Sequence, residues 1–394
     1  MRFVAHVVGP LAILLVAPAS GMMDSTPAEE LARLKKEVEV AWGELDSVQK
    51  PGATEAEQKA AYDRYSKQAA ALARRALALA EAHPDAPEAL EALIWILDQV
   101  KTADECDAAY DLMARRHLDK DSLLPIIRTA WNEAPSTAHV EAFLRAAVER
   151  SPNLKVKSLS CFSLGRHQQE LAWFARVLNH PIRGKRIEEQ LGPEKSHRLR
   201  SIKPEALERE AEALFERTIK EYADVRPMKD FPPLGEQAEA ALFQMRNLEI
   251  GCTVPEIEGE DVDGKPMKLS DYRGKVVVIT FWATWCGPCM GLVPGEKALV
   301  ERMKGRPFVL IGVNGDDDRA KAKTVSAKEG INWRSFWDGG RQAGIAVKWG
   351  VSAWPTVYLI DAKGMIRDDS LVGHALDQAV ETLVAEAESA AKKP

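Results

Sequence analysis

Cys286 and Cys289 are separated by two residues in Trp285-Cys286-Gly287-Pro288-Cys289, and no other feature of the chain points so directly to chemistry. Val276 to Phe281, just before the pair, is a run of β-branched and aromatic residues, as a buried central strand requires. Met290 to Met303 can be helical, although Gly291, Pro294 and Gly295 are expected to weaken or kink its first turns. The motif therefore opens a helix. Unpaired backbone N–H groups and the helix dipole stabilise a thiolate there, and can bring a thiol pKa from about 8.5 to near 7 or below. Cys286 is expected to be the exposed nucleophile and Cys289, one turn further in, the buried resolving thiol. Pro288 fits because an N–H in the first turn has no intrahelical partner. The competing use of a lone CxxC is half of a zinc site, which needs a second Cys or His pair. After Cys289 the chain holds His374 and no further cysteine. Redox chemistry is the expectation, with no metal and no cofactor beyond the Cys286–Cys289 disulfide itself.

The remaining cysteines, Cys106, Cys161 and Cys252, are scattered and do not form a disulfide framework. At the N-terminus, Arg2, the apolar run Val7 to Val16 and Ala17-Pro18-Ala19 have the order of a cleaved secretory signal. The run is too short for an obvious span, and an uncleaved anchor or a buried first helix is the competing reading. Export to a periplasmic or other extracytoplasmic space is expected, with a mature chain starting near Ser20.

Two or three domains are expected for 394 residues. With 46% hydrophobic and 28% charged residues the composition is globular, and a net charge of -6 gives no reason to expect nucleic acid or anionic membrane as a partner. From Thr26 to Leu248 the pattern is almost wholly helical. Thr26-Pro27-Ala28-Glu29 is a helix start, and Leu31, Leu34, Val38, Ala41 and Leu45 recur at helical spacing. Ala86–Leu97 and Ala206–Tyr222 resemble TPR helices, yet no strict repeat period is visible. A solenoid of the TPR or HEAT kind and an irregular helical domain both remain open. Pro181 to Lys203 mixes seven Lys and Arg residues with Glu188, Glu189, Glu194, Gly and Pro; a solvated loop is expected, with a basic docking loop as the competing reading. At Gly251 strand and turn signals replace the helical pattern. The expected organisation is a signal at 1–19, a helical domain at 20–250 and an α/β domain at 251–394. The Pro-rich turn at 226–233 and the loop at 251–260 are its expected weak points.

Phe281-Trp282-Ala283-Thr284-Trp285-Cys286-Gly287-Pro288-Cys289 resembles the thioredoxin active-site signature. Asp263-Gly264-Lys265 and Leu269-Ser270-Asp271-Tyr272-Arg273-Gly274-Lys275 resemble the start of AhpC/TSA and TlpA/ResA-like domains, and Trp354-Pro355-Thr356 resembles their cis-proline loop. The resemblance covers about Gly251 to Ala391. It implies a thioredoxin fold, with Pro355 cis and facing Cys286. It also implies a client chain laid along Trp354 and contacts to Trp285, Gly287 and Pro288. Thr280 and Leu292 stand where members of the resembled families carry buried acids. Slow resolution by Cys289, accelerating with pH, is therefore expected unless Glu296 turns inward. The spacing of Thr284 and the missing upstream proline do not match a peroxiredoxin.

Two functions follow. One is a thiol–disulfide oxidoreductase that reduces client protein disulfides and is recharged by a membrane or soluble electron donor. The other is a helical protein-binding module whose thioredoxin domain grips peptides with little redox activity.

Overall fold

The computed structural model describes residues 25–48, 53–100, 103–133, 138–179, 183–229, 231–340, 344–351, 353–369 and 371–391. The expected signal lies outside the described residues. The chain forms two compact units.

The first unit is helical, with α1 (Pro27–Val48), α2 (Glu55–Ala82), α3 (Pro87–Trp95), α4 (Ala103–Arg116), the start of α5 (Leu124–Thr129) and α6 (Ala138–Arg150). Its helix starts follow the sequence signals. The Glu29 carboxylate accepts from the Thr26 N–H at 2.8 Å, and Thr54 with Glu57 closes a capping box on α2. Leu31, Leu34, Val38, Ala41 and Leu45 are all buried, as their spacing predicts. Arg75 of α2 ties α1 down through Glu30 at 2.8 Å and Glu37 at 2.7 Å.

The second unit takes residues 127–135 and everything from Leu154 onward. Its helices are α7 (Leu154–Val177), α8 (Arg183–Leu191), α9 (Pro193–Arg200), α10 (Pro204–Tyr222) and α11 (Leu234–Asn247). Within the loop expected over 181–203, residues 183–191 and 193–200 are the helices α8 and α9. Gly192, at φ 82°, separates two short helices, and Arg200 clamps them with a two-pronged ion pair to Glu188 at 3.0 and 2.8 Å. Gly and Pro there punctuate helices rather than mark extended chain.

The expected weak point at 251–260 is pinned. Leu248, just past α11, is buried in the same core as Val277, Ile279 and Phe281. The Gln244 amide donates to the carbonyls of Trp349 and Gly350 at 3.0 and 3.1 Å. Gly251 and Val254 donate to Ile366 and Gly364, and Ile366 donates back to Cys252. The division into compact units puts 127–135 and everything from 154 onward together, and the end of α11 shares a core with the sheet.

The rest of the chain supplies β1 (Glu258–Glu260), β2 (Pro266–Lys268), β3 (Val276–Trp282), α12 (Gly287–Arg302), β4 (Phe308–Asn314), α13 (Arg319–Glu329), β5 (Ser335–Trp337), α14 (Gly344–Lys348), β6 (Thr356–Ile360), β7 (Ile366–Asp368) and α15 (Gly373–Ala391). β1 and β2 form a separate hairpin. The main sheet has the order β5-β4-β3-β6-β7, with β3 parallel to β4 and antiparallel to β6. This is the arrangement the thioredoxin resemblance implies, with the edge strand β5 added to what the sequence pattern shows.

Every residue of β3 is buried. Its odd positions, Val277, Ile279 and Phe281, pack with Trp349, Tyr358 and Ile366, while Val276 and Val278 pack with Leu299, Val380 and Val384. Burial on both faces is why the strand is continuously apolar instead of alternating. α12 runs unbroken through Pro294. Its inward residues Cys289, Val293, Glu296 and Leu299 are buried, and packing of that stripe offsets the poor helix formers around it.

Candidate active site

β3 ends at Trp282, and Ala283 to Trp285 lead to Cys286, the N-cap of α12. Cys286 and Cys289 are joined as a disulfide, with Cα atoms 5.3 Å apart. The Cys289 N–H donates to the Cys286 sulfur at 3.1 Å. One orphan donor of the helix N-terminus thus already points at the sulfur that would carry negative charge after reduction. Cys286 is more enclosed than expected. In the disulfide it is 5% exposed against 2% for Cys289, because Trp282, Ala283, Met290 and Trp354 pack around the pair.

The approach to Cys286 is held by a residue that the sequence reading missed. Asp316, 2% exposed, accepts from the Thr284 N–H at 3.0 Å, the Thr284 hydroxyl at 2.6 Å and the Asn314 amide at 2.8 Å. Its own carbonyl accepts from the Trp337 indole at 3.0 Å. In sequence Asp316 opens an acidic run with Asp317 and Asp318, which has the look of a solvated turn. The usable signal is topological. β3 and β4 are parallel, so the residues just past their C-terminal ends meet at one edge of the sheet.

The Trp354–Pro355 peptide is cis, as the resemblance implies. The Trp354 ring meets Trp285 edge-on with centroids 5.5 Å apart, and Trp285 is 42% exposed. Gly315 makes room for this ring, since a Cβ there would run into the indole. Trp285, Cys286, Cys289 and Trp354 therefore gather into one site. Gly287 and Pro288 form the first turn of α12 beside them.

Glu296 does turn inward, which revises the expectation of a site without a buried acid. It is 9% exposed, on the buried stripe of α12 that also carries Cys289. Burial pushes its carboxyl up to about 7, partly offset by the Thr280 hydroxyl. The folded protein then holds this proton at pH values where the unfolded chain has released it. Stability from this group is full at low pH and falls as pH rises from the ordinary carboxyl range through about 7. Glu296→Gln, which keeps an oxygen for Thr280, is expected to be more stable than wild type at pH 8 by about 1–3 kcal/mol and nearly equal to it at pH 4. Urea unfolding at the two pH values measures this. A pH-independent difference would mean that Glu296 does not titrate in this range.

A disulfide at a helix N-terminus, at the C-terminal edge of a sheet of this order, defines a thioredoxin-like thiol–disulfide oxidoreductase domain. The AhpC/TSA family matches residues 250–369. The chain belongs to that family through this domain, as a ResA-like member. The thiol-disulfide oxidoreductase ResA of Geobacillus thermodenitrificans is 30% identical over 118 residues, which cover 30% of this chain and 67% of ResA. The thioredoxin-like protein YneN of Bacillus subtilis is 29% identical over 121 residues, covering 31% of this chain and 71% of YneN. The crystal structure of the thioredoxin domain of a thiol-disulfide oxidoreductase from Bacteroides vulgatus is 25% identical, covering 35% of this chain and 99% of that domain, with a TM-score of 0.33. The family match begins at residue 250 and leaves the helices outside it.

Proposed function

We propose that the chain is an extracytoplasmic reductase of client protein disulfides, in which Cys286 attacks and Cys289 resolves. The observation that carries this reading is the Cys286–Cys289 pair on the first turn of α12, with the Cys289 N–H aimed at the Cys286 sulfur. Gly287 and Pro288 leave that turn unobstructed, and Trp285 with the Trp354–Pro355 loop offers an aromatic surface for a client chain. A membrane or soluble donor would return electrons to the disulfide. The domain limits 20–250 and 251–394 separate helical from catalytic sequence in this reading, and the helices, repeat array or not, would hold a particular partner. Export rests on the pattern Arg2 to Ala19. N-terminal sequencing of the mature protein should start near Ser20, and an intact Met1 on cytoplasmic protein would remove this part of the proposal. Among the described residues no helix is long and apolar enough to cross a membrane.

The test is insulin reduction by the full chain with dithiothreitol as donor. Wild type should shorten the lag before insulin precipitates, and Cys286→Ala should match the protein-free control. Equal lags for both would favour the second reading, a peptide-gripping adaptor, whose support is the half-exposed Trp285–Trp354 pair.

A further inference from the structure

The second compact unit holds a cavity of about 690 Å³, a size that suits a small molecule. α7, α10 and the end of α11 line it together with Tyr358 of β6 and Asp369, just past β7. The AhpC/TSA match spans residues 250–369. Most of the lining therefore comes from helices outside the family domain, and the cavity needs both parts of the unit.

The charged groups of the lining are five carboxyls and two guanidiniums. Both guanidiniums are already engaged. Arg176 holds Glu208 through two bonds of 2.6 and 2.7 Å. Arg166 lies 4.9 Å from the Trp131 ring centre and donates to Gln169 at 2.8 Å. Glu170 and Glu249 are not engaged, since among the described residues neither carboxyl makes an ion pair or a hydrogen bond. Both are half-buried, and they come from different elements, Glu170 from α7 and Glu249 from just past α11. Burial pushes both carboxyls up, Glu249 to about 7. At Glu249 the charges of Glu208, Asp369 and Glu212 add to burial, and Arg176 opposes it. Glu212 is itself held by Arg246 at 3.0 Å. Burial pushes the Tyr358 phenol up as well, so it stays neutral in this range. Trp173, Ile250 and Tyr358 add aromatic and apolar surface, with Trp173 36% and Ile250 48% exposed. Unmatched carboxyls beside aromatic rings favour a cation on an apolar stem and disfavour an anion.

We propose that this cavity binds an aliphatic di- or polyamine, with Glu170 and Glu249 pairing with its ammonium groups and Trp173 and Tyr358 covering its carbon chain. A free polyamine fits better than a lysine of another protein, because the two carboxyls are half-buried in a space of small-molecule size. Pairing requires Glu249 to be ionised, so the ligand displaces its proton and binds more tightly as pH rises through about 7. The site contains neither cysteine of the CxxC pair, and its failure would leave the reductase reading in place.

The experiment is isothermal titration of the oxidised full chain with spermidine at pH 6 and pH 8, with citrate and N-acetyl-lysine amide as the other probes. Spermidine should saturate one site and bind roughly tenfold more tightly at pH 8 than at pH 6. Exposed carboxyls are ionised at both values, so uptake that neither saturates nor changes with pH would mark loose association with the acidic surface and overturn the proposal. Glu249→Gln should weaken binding at pH 8 by roughly tenfold or more and flatten the pH dependence. Glu170→Gln should weaken it by roughly fivefold or more. Glu236→Gln, on the exposed side of α11, should match wild type. Near-UV circular dichroism equal to that of wild type reports intact packing in each variant. Wild-type affinity in both Glu170→Gln and Glu249→Gln would place the amine elsewhere and overturn the site. Binding of citrate in place of spermidine would assign the cavity to an anion, and tighter binding of N-acetyl-lysine amide would assign it to a protein side chain. Either result, or no spermidine binding at pH 8, overturns the polyamine.

Discussion

Full-length Cys289→Ala is expected to accumulate mixed disulfides with client proteins, while Cys286→Ala forms none and loses reductase activity by roughly 1000-fold or more. The asymmetry comes from position. Cys286 caps α12, where the macrodipole and the Cys289 N–H at 3.1 Å stabilise its thiolate. Cys289 lies inside the first turn of α12, with 2% of its surface exposed and no cap position. Both sulfurs are enclosed in the disulfide, so the cap position of Cys286 rather than its exposure sets the expected order of attack. With Cys289 removed, attack still proceeds but nothing displaces the client. With Cys286 removed, the remaining thiol is shielded and lacks the cap position. Alkylation with N-ethylmaleimide followed by non-reducing electrophoresis reads both outcomes. Adducts trapped through Cys289 alone would reverse the roles.

Asp316→Ala should cost about 2–4 kcal/mol of stability and lower the rate of the Cys286 step more than tenfold. The carboxylate is buried and satisfies three donors, so its removal leaves the Thr284 N–H, the Thr284 hydroxyl and the Asn314 amide without it. An unpaired buried donor costs about 1–3 kcal/mol, and the Thr284 loop can relax to recover part of that. Its relaxation moves Trp285 and Cys286, which follow directly. Asp316→Asn should fall between alanine and wild type. It keeps an oxygen for the Thr284 hydroxyl but turns an NH₂ toward the Thr284 N–H and the Asn314 amide. Asp317→Ala, on an exposed neighbour, should stay within about 0.5 kcal/mol of wild type. Urea unfolding and insulin reduction measure the series, and an Asp316→Ala protein as stable and as fast as Asp317→Ala would remove Asp316 from the site.

The chemistry of this protein was legible in the sequence because its determinants are local. Val276 to Phe281 declares a strand buried on both faces, and Cys286 to Cys289 needs only the helix that follows to become a polarised thiol pair. Thr26 and Glu29 close their helix start within four residues. The family signature added the loop at Trp354–Pro355, which lies far along the chain from the cysteines it approaches. What the sequence did not show were contacts between elements. Asp316 was hidden in an acidic run, because its role depends on β4 lying parallel beside β3, 32 residues away from Thr284. Glu296 is in phase with Cys289 on α12, so its face could be read from helical periodicity. Whether that face is buried at its height was set by the elements packed over it, and Glu296 is 9% exposed there. The contacts of the segment over 183–200 and of the end of α11 are likewise between elements: Arg200 pairs with Glu188, and Leu248 and Gln244 meet the sheet's core and the loop after α14. Strand alternation and helix phase specify which side of an element is apolar. Only packing in three dimensions specifies which partner meets that side, and so which polar group ends up buried beside the thiols.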